Sequence, residues 1–185
     1  MLTVDAWLTI LTIAEVETSS VRRLSVCLEA GHSVPTQYLA ATALGLSGHK
    51  GRCAVPKLER LLASKSYRVR TESARAIYLI TGDEKLIMNT LRDCLKCQDP
   101  EVRDNAAFIV SYIGGDKAAA ALPELLPLLH DQDARIRANA AQALGKIGPG
   151  AREHIEQLRS LLTDRNERVR EKARRAWQEI TGESP

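Results

Sequence analysis

A pattern of apolar residues, arginines and glycines returns about every 33 residues along this chain. The unit is clearest from Leu122 to Gly148, where two apolar stripes at helical spacing flank the polar turn 130–133. Pro123 suits the first turn of a helix, and Gly148 suits the end of the second stripe. Neither helix can bury its stripe alone, so the period predicts helix pairs that stack on one another.

The repeat can be followed column by column through four units. The first helix carries leucine at Leu58, Leu91, Leu125 and Leu158. The second helix opens on Val69, Val102, Ile136 and Val169 and closes on Ile80, Ile113, Ile147 and Ile180. An earlier unit keeps less of the pattern, because Thr36 and Gln37 stand where the later units have an apolar residue and an arginine.

An arginine follows the first apolar residue of each later second helix, at Arg70, Arg103, Arg137 and Arg170. Asp131 and Asp164 lie six residues before Arg137 and Arg170, and residues 143–148 read Ala-Leu-Gly-Lys-Ile-Gly. This pattern resembles HEAT repeats, especially the short bacterial type that is also found in phycobilisome lyases. The resemblance covers roughly residues 21–182. It implies an armadillo-like fold and a protein-binding role.

We therefore predict an all-α protein, a right-handed α-solenoid of about eleven helices with one lone amino-terminal helix and five antiparallel pairs. One domain is expected over residues 1–185, with a half-repeat over 1–17. The repeats are predicted at residues 18–48, 52–82, 84–115, 116–149 and 151–182.

We interpret the arginine column as structural. Stacking would bring each arginine close to an acidic turn of the neighbouring repeat, where it forms ion pairs and hydrogen bonds to carbonyl groups. Phosphate binding is the alternative. The predicted ladder consists of Arg70, Arg103, Arg137, Arg170, Asp131 and Asp164.

The second helices are predicted to line a concave binding surface, with Thr71 and Ala138 in the column that points furthest from the core. Phe108 is the only phenylalanine and occupies a position that is polar in every other unit. An aromatic residue beside arginine is typical of a binding hot spot, although Phe108 filling a gap between repeats is the alternative. The predicted partner-binding residues are Arg75, Tyr78, Phe108, Tyr112, Gln142 and Arg175.

The amino-terminal helix, predicted over residues 3–16, is apolar on two faces. This indicates an interface with another chain, with a missing repeat or with a second copy of this chain. The alternative is that Trp7 and Leu11 fold over the end of the array. The residues of the predicted interface are Val4, Trp7, Leu8 and Leu11.

The composition argues against several other classes. A net charge of +3, from 26 basic and 23 acidic residues, is too small to indicate nucleic acid or an anionic membrane. Cys94 and Cys97 form a lone Cys-x-x-Cys without a second ligand pair, so Cys94 and Cys27 are predicted core thiols and no metal is expected. No catalytic motif occurs, so we expect no catalytic residue and no cofactor. Free thiols indicate the cytoplasm.

The leading function is a non-catalytic protein–protein interaction scaffold or regulatory subunit. Two alternatives stay open. One is a bilin-lyase-like enzyme subunit or chaperone, since the repeats resemble those of phycobilisome lyases. The other is a nucleic-acid-binding protein, since HEAT-like DNA glycosylases use a concave basic groove, which Glu72, Asp104 and Glu171 would make less positive here.

Overall fold

The computed structural model describes residues 18–183, and every helix or strand element within that range is a helix. The prediction of an all-α protein is confirmed. The helices group into two compact units, the first ending at Asp83 and the second beginning at Glu84. The expectation of a single domain stays a prediction.

The predictions for the amino-terminal segment lie outside the described residues. They concern the half-repeat 1–17, the helix 3–16 and the interface residues Val4, Trp7, Leu8 and Leu11.

The first unit contains two helix pairs. Its helices are α1 (Thr18–Val26), α2 (Val34–Leu46), α3 (Val55–Leu61), which follows a 3-10 segment over Gly48–Ala54, and α4 (Tyr67–Thr81). The second helices α2 and α4 pack side by side. The prediction of a core thiol at Cys27 is wrong, because α1 ends at Val26 and Cys27 is left half-buried after the helix.

The second unit contains three helix pairs. The first pair is α5 (Lys85–Leu95) with α6 (Pro100–Ile113). The second pair is α7 (Gly115–Ala118), a 3-10 turn over Ala119–Ala121 and α8 (Leu122–Leu128), with α9 (Ala134–Ile147). The third is α10 (Ile155–Arg159), between 3-10 segments over Gly148–His154 and Ser160–Thr163, with α11 (Glu167–Thr181).

The first helix of the last pair is therefore short and has a 3-10 segment on each side. Residues 148–150 are Gly-Pro-Gly, which disfavour regular α-helix. The second helices are continuous, and α9 packs between α6 and α11.

Side-chain caps explain where the second helices begin. A carboxylate oxygen of Asp99 accepts a hydrogen bond from the Glu101 amide at 3.0 Å, and Asp133 does the same for the Arg135 amide at 2.8 Å. The aspartates that precede the arginines by four residues are thus helix caps. At the other end of α4, Gly82 has a φ of 71°, a left-handed conformation that glycine adopts at low cost.

The core is aliphatic and rich in alanine. The leucine column of the first helices, Leu58, Leu91, Leu125 and Leu158, is buried, and so is the column that opens the second helices. The prediction of outward-pointing residues at Thr71 and Ala138 is wrong, since both are buried. Ala138 lies on α9, whose flanks are covered by α6 and α11. No described helix combines the length and the apolar character that crossing a membrane requires.

Candidate functional site

Two aromatic side chains are exposed one turn apart on α6. Phe108 is 47% exposed and Tyr112 is 63% exposed, whereas Ile109, Val110 and Ser111 between them are buried. Residues four apart lie on the same helix face, so the aromatic pair forms one apolar patch on the solvent side of α6.

Gln142 on α9 is fixed beside this patch. Its Nε2 donates a hydrogen bond to Ser111 Oγ at 3.2 Å, and the Ser111 hydroxyl donates to the Phe108 carbonyl at 2.7 Å. The repeat places Phe108, Gln142 and Arg175 in one column of successive second helices. The hydrogen bond places the Gln142 side chain against α6 at Ser111, three residues after Phe108.

Charged side chains dominate the same face between α9 and α11. Lys146 Nζ lies 2.7 Å from Glu179 Oε1, and Arg175 Nε lies 3.7 Å from the same oxygen. A cleft of about 90 Å³ opens between the two helices. The residues that line it are Gln142, Lys146, Lys172, Arg175, Ala176 and Glu179.

Gly145 allows α9 and α11 to approach this closely. A Cβ atom at residue 145 would lie 2.7 Å from the Ala176 Cα and 2.9 Å from its Cβ, so a larger residue would force the helices apart. We call the whole surface the second-unit ridge and define it by Phe108, Tyr112, Gln142, Lys146, Lys172 and Arg175.

Asp104 brings a negative charge to the amino-terminal end of α6. Its carboxylate accepts a hydrogen bond from Asn139 Nδ2 at 2.9 Å. Burial raises the pKa of the Asp104 carboxyl, against the opposing effects of Arg135 and of the Asn139 hydrogen bond. The aromatic patch therefore lies between an acidic region on α6 and a basic cleft beside α11.

Arg75 and Tyr78, two further predicted binding residues, lie on α4 of the first unit and form no part of the second-unit ridge. The Arg75 guanidinium is half-buried and bonds the carboxylate of Glu72 on its own helix, with Nε 3.0 Å from Oε1. A role for Arg75 and Tyr78 in binding stays a prediction.

The arginine column of the second unit is held by internal bonds. Arg137 donates from Nε and Nη2 to both carboxylate oxygens of Asp164, at 2.8 and 3.0 Å, and from Nη1 to the carbonyls of Asp131 and Gln132. These hydrogen bonds hold the pKa of the Asp164 carboxyl below its usual value. Arg103 pairs with Asp131 at 2.9 Å.

The remaining two arginines of the column make fewer such bonds. Arg170 Nη1 donates to the Asp164 carbonyl at 2.8 Å. Arg70 lies over the ring of Tyr67, 3.7 Å from its centroid, and its buried Nε has no hydrogen-bond partner among residues 18–183.

Some functional features were not found from the sequence. Lys172 and Glu179 complete the cleft, and the available signal was their position one turn before and after Arg175 on α11. Gln37 takes the place of the column arginine in the first unit, where its Nε2 donates to the Glu29 carbonyl at 3.1 Å. The signal in the sequence was that glutamine, like the arginine of the later repeats, carries a side-chain N–H donor.

Within residues 18–183, no group of three or more His, Cys, Asp and Glu side chains is arranged to hold a metal ion. Cys94 is buried in α5, and Cys97 is half-buried just after that helix.

Comparison with known proteins finds repeats of one family. The family model described as HEAT repeats matches residues 88–178. An engineered protein of known crystal structure is 26% identical, with a TM-score of 0.70 over 96% of this chain and 90% of that one. A second is 25% identical, with a TM-score of 0.73 over 97% and 92%. No curated protein matches the sequence.

A designed armadillo repeat protein, solved in complex with the peptide (KR)4, is also similar. It is 19% identical and has a TM-score of 0.69 over 96% of this chain and 92% of that one. At this identity the similarity concerns the fold alone.

Proposed function

We propose that this chain, in which residues 88–178 match the family model of HEAT repeats, is a non-catalytic scaffold that binds a protein partner on the second-unit ridge. The observation that supports this most is the exposure of Phe108 and Tyr112 on the same face of α6. Aromatic residues contribute more than other types to binding energy when a partner covers them.

The surroundings of the aromatic pair suit recognition of a peptide. Gln142 is positioned by Ser111, so it can offer its carbonyl oxygen to a partner without losing an internal bond. The paired charges of Lys146 and Glu179 form a polar rim on one side of the patch. An apolar centre with a polar rim is the usual composition of a protein interface.

The arrangement favours this function over the two alternatives. The guanidinium of Arg137 is 8% exposed and already bonds Asp164, so it is not available to a nucleic-acid phosphate. Asp104 and Glu179 also reduce the positive potential along the ridge. A bilin lyase or chaperone function has no described residue cluster to support it. We further infer a cytoplasmic protein, since all four cysteines are free thiols, and a bacterial one from the resemblance to the short bacterial type of HEAT repeat.

The proposal is tested by selecting peptides from a random display library against the purified full chain and measuring the affinity of the winners. Phe108→Ala should weaken binding about thirtyfold, which corresponds to the ~2 kcal/mol of a binding hot spot. Leu86→Ala is the matched control, because Leu86 is 41% exposed in the same unit but lies on the first helix α5.

Equal affinity of the wild-type chain and the Phe108→Ala variant for every selected peptide would contradict the proposal. Capture of single-stranded DNA instead of peptides, with affinity that falls steeply as salt rises, would favour the nucleic-acid alternative. An absorbance shift on mixing with a bilin would favour the lyase alternative.

A further inference from the structure

We infer that the partner segment is an extended peptide in which an apolar side chain covers Phe108 and Tyr112 and an acidic side chain enters the basic cleft. This rests on the proposed function and adds the chemistry and spacing of the partner. It is supported by the charge of the cleft, the unpaired state of one lysine and the distance between second helices.

The cleft has an excess of positive charge. Lys146, Lys172 and Arg175 contribute three cations, whereas Glu179 contributes one carboxylate. Glu179 is shared, at 2.7 Å from Lys146 and 3.7 Å from Arg175. Three cations around one carboxylate leave room for a second anion, and a carboxylate supplied by a partner would complete the charge balance.

Lys172 is the cation that most needs such an anion. It is half-buried, and no carboxylate of the described chain lies within ion-pair distance of its ammonium group. The other lysine of the cleft, Lys146, already has Glu179. An acidic group in the cleft would therefore interact chiefly with Lys172 and Arg175.

The spacing of the two subsites follows from the helix packing. The aromatic pair lies on α6, and the cleft lies between α9 and α11, which is one and a half helix spacings further on. Packed helices are about 8–10 Å apart, so the subsites are separated by about 12–15 Å. An extended chain rises about 3.3 Å per residue, so four residues span that distance.

Four is also the spacing that places both side chains on one side of an extended peptide, because side chains alternate along such a chain. The motif is thus an apolar residue and an acidic residue four positions apart. An α-helical peptide would need about eight residues to cover the same distance.

The test uses fluorescein-labelled synthetic peptides of ten residues with one leucine and one glutamate, measured by fluorescence anisotropy against the full chain. The peptide with the two residues four apart should bind at least tenfold more tightly than its glutamine analogue. It should also bind more tightly than a peptide with the two residues three apart, because three places them on opposite sides.

Charge reversal in the protein provides the second arm. Lys172→Glu should weaken binding of the glutamate peptide at least tenfold and should strengthen binding of a peptide with lysine at that position. Arg174→Glu is the matched control, with the same charge change at an exposed site of α11 that does not line the cleft. Circular dichroism checks that both variants are folded.

The outcomes separate this inference from the scaffold proposal. Loss of binding with Phe108→Ala but equal effects of Lys172→Glu and Arg174→Glu would overturn the acidic subsite and keep the scaffold. Indifference to Phe108→Ala as well would overturn both. Equal affinity of the glutamate and glutamine peptides, or no binding of any designed peptide, would overturn the inference. The scaffold proposal would then be tested only by the peptides selected from the random library.

Discussion

The two units fill the same position of the repeat with different chemistry. In the second unit Arg137 bonds two backbone carbonyls of the preceding turn and the carboxylate of Asp164, 27 residues further on. In the first unit Gln37 keeps the bonds to backbone carbonyls, those of Leu28 and Glu29. The residue 27 positions after Gln37 is Ser64, so the first unit has no equivalent ion pair.

The difference separates the hydrogen bonds to the turn carbonyls from the ion pair. A side-chain donor to the turn carbonyls is present in both units, whereas the ion pair is present only in the second. The first unit has a cation from a different helix, since Lys57 on α3 donates to the Ser25 carbonyl at 3.1 Å and pairs with Glu29 at 2.7 Å. The donor to the turn is therefore common to Gln37 and Arg137, whereas Arg70 of the first unit has a buried Nε without a hydrogen-bond partner among residues 18–183.

The largest difference in stability is expected when alanine replaces Arg137 in the second unit or Gln37 in the first. Arg137→Ala leaves the nearly buried Asp164 carboxylate without its partner and removes two bonds to carbonyls, and it should lower the free energy of unfolding by about 3 kcal/mol. Gln37→Ala removes only the neutral donor and should cost about 1 kcal/mol. Urea unfolding of both variants measures the two values, and equal losses would contradict the distinction.

The two units also differ in how closely their second helices approach each other at a glycine. A Cβ at residue 145 would lie 2.7 Å from the Ala176 Cα, whereas one at residue 45 would lie 3.0 Å from the Ala76 Cα. Replacing glycine by alanine inside a helix gains about 1 kcal/mol, and overpacking costs about 1–3 kcal/mol. We expect Gly145→Ala to destabilise by about 2 kcal/mol and Gly45→Ala to have almost no effect, measured as urea midpoints.

The same pair of variants connects packing to the proposed site. Gly145→Ala should also weaken peptide binding, since it displaces α11 and with it Arg175 and Glu179. Gly45→Ala should leave binding unchanged. A Gly145→Ala protein of wild-type stability would show that α9 and α11 can separate without cost.

The contribution of the Arg137–Asp164 ion pair to stability should depend on pH. The pKa of Asp164 in the folded state is lowered below its unfolded value of about 3.9. Its stabilisation is therefore complete above about pH 4 and is lost as the pH falls through the folded-state pKa. Asp164→Asn should cost about 1.5 kcal/mol at pH 7, and the difference from wild type should shrink towards zero in strong acid.

The control for this pH dependence is Asp93→Asn. Asp93 is 64% exposed, and its pairing with Lys96 at 3.5 Å is a surface contact worth little. If wild type and Asp164→Asn differed by the same free energy of unfolding from pH 7 to pH 2, the charge of the Asp164 carboxylate would not be what stabilises the contact with Arg137.

The sequence predicted the parts of this fold that depend on periodicity. Leucines at a spacing near 33 residues identified the helix pairs, because a stripe at helical spacing has to be buried. The 3-10 segments on either side of α10 and the burial of Ala138 were not predicted from the sequence. Phe108 was identified from its column, whereas the cleft was missed because Lys172 belongs to it only through the approach of α11 to α9.

Transferring the ion pair to the first unit would give the smallest effect and the most direct comparison. Gln37 and Ser64 line the same cavity of about 490 Å³, which has room for longer side chains. Gln37→Arg alone should destabilise by about 1 kcal/mol, since it buries a charge without a partner, and Ser64→Asp alone should have little effect. The double variant should recover about 0.5–1 kcal/mol of coupling energy in a double-mutant cycle. The matched control is Gln37→Arg with Ser64→Asn, which has no carboxylate at residue 64. Equal stability of the two double variants would mean that no ion pair forms between residues 37 and 64.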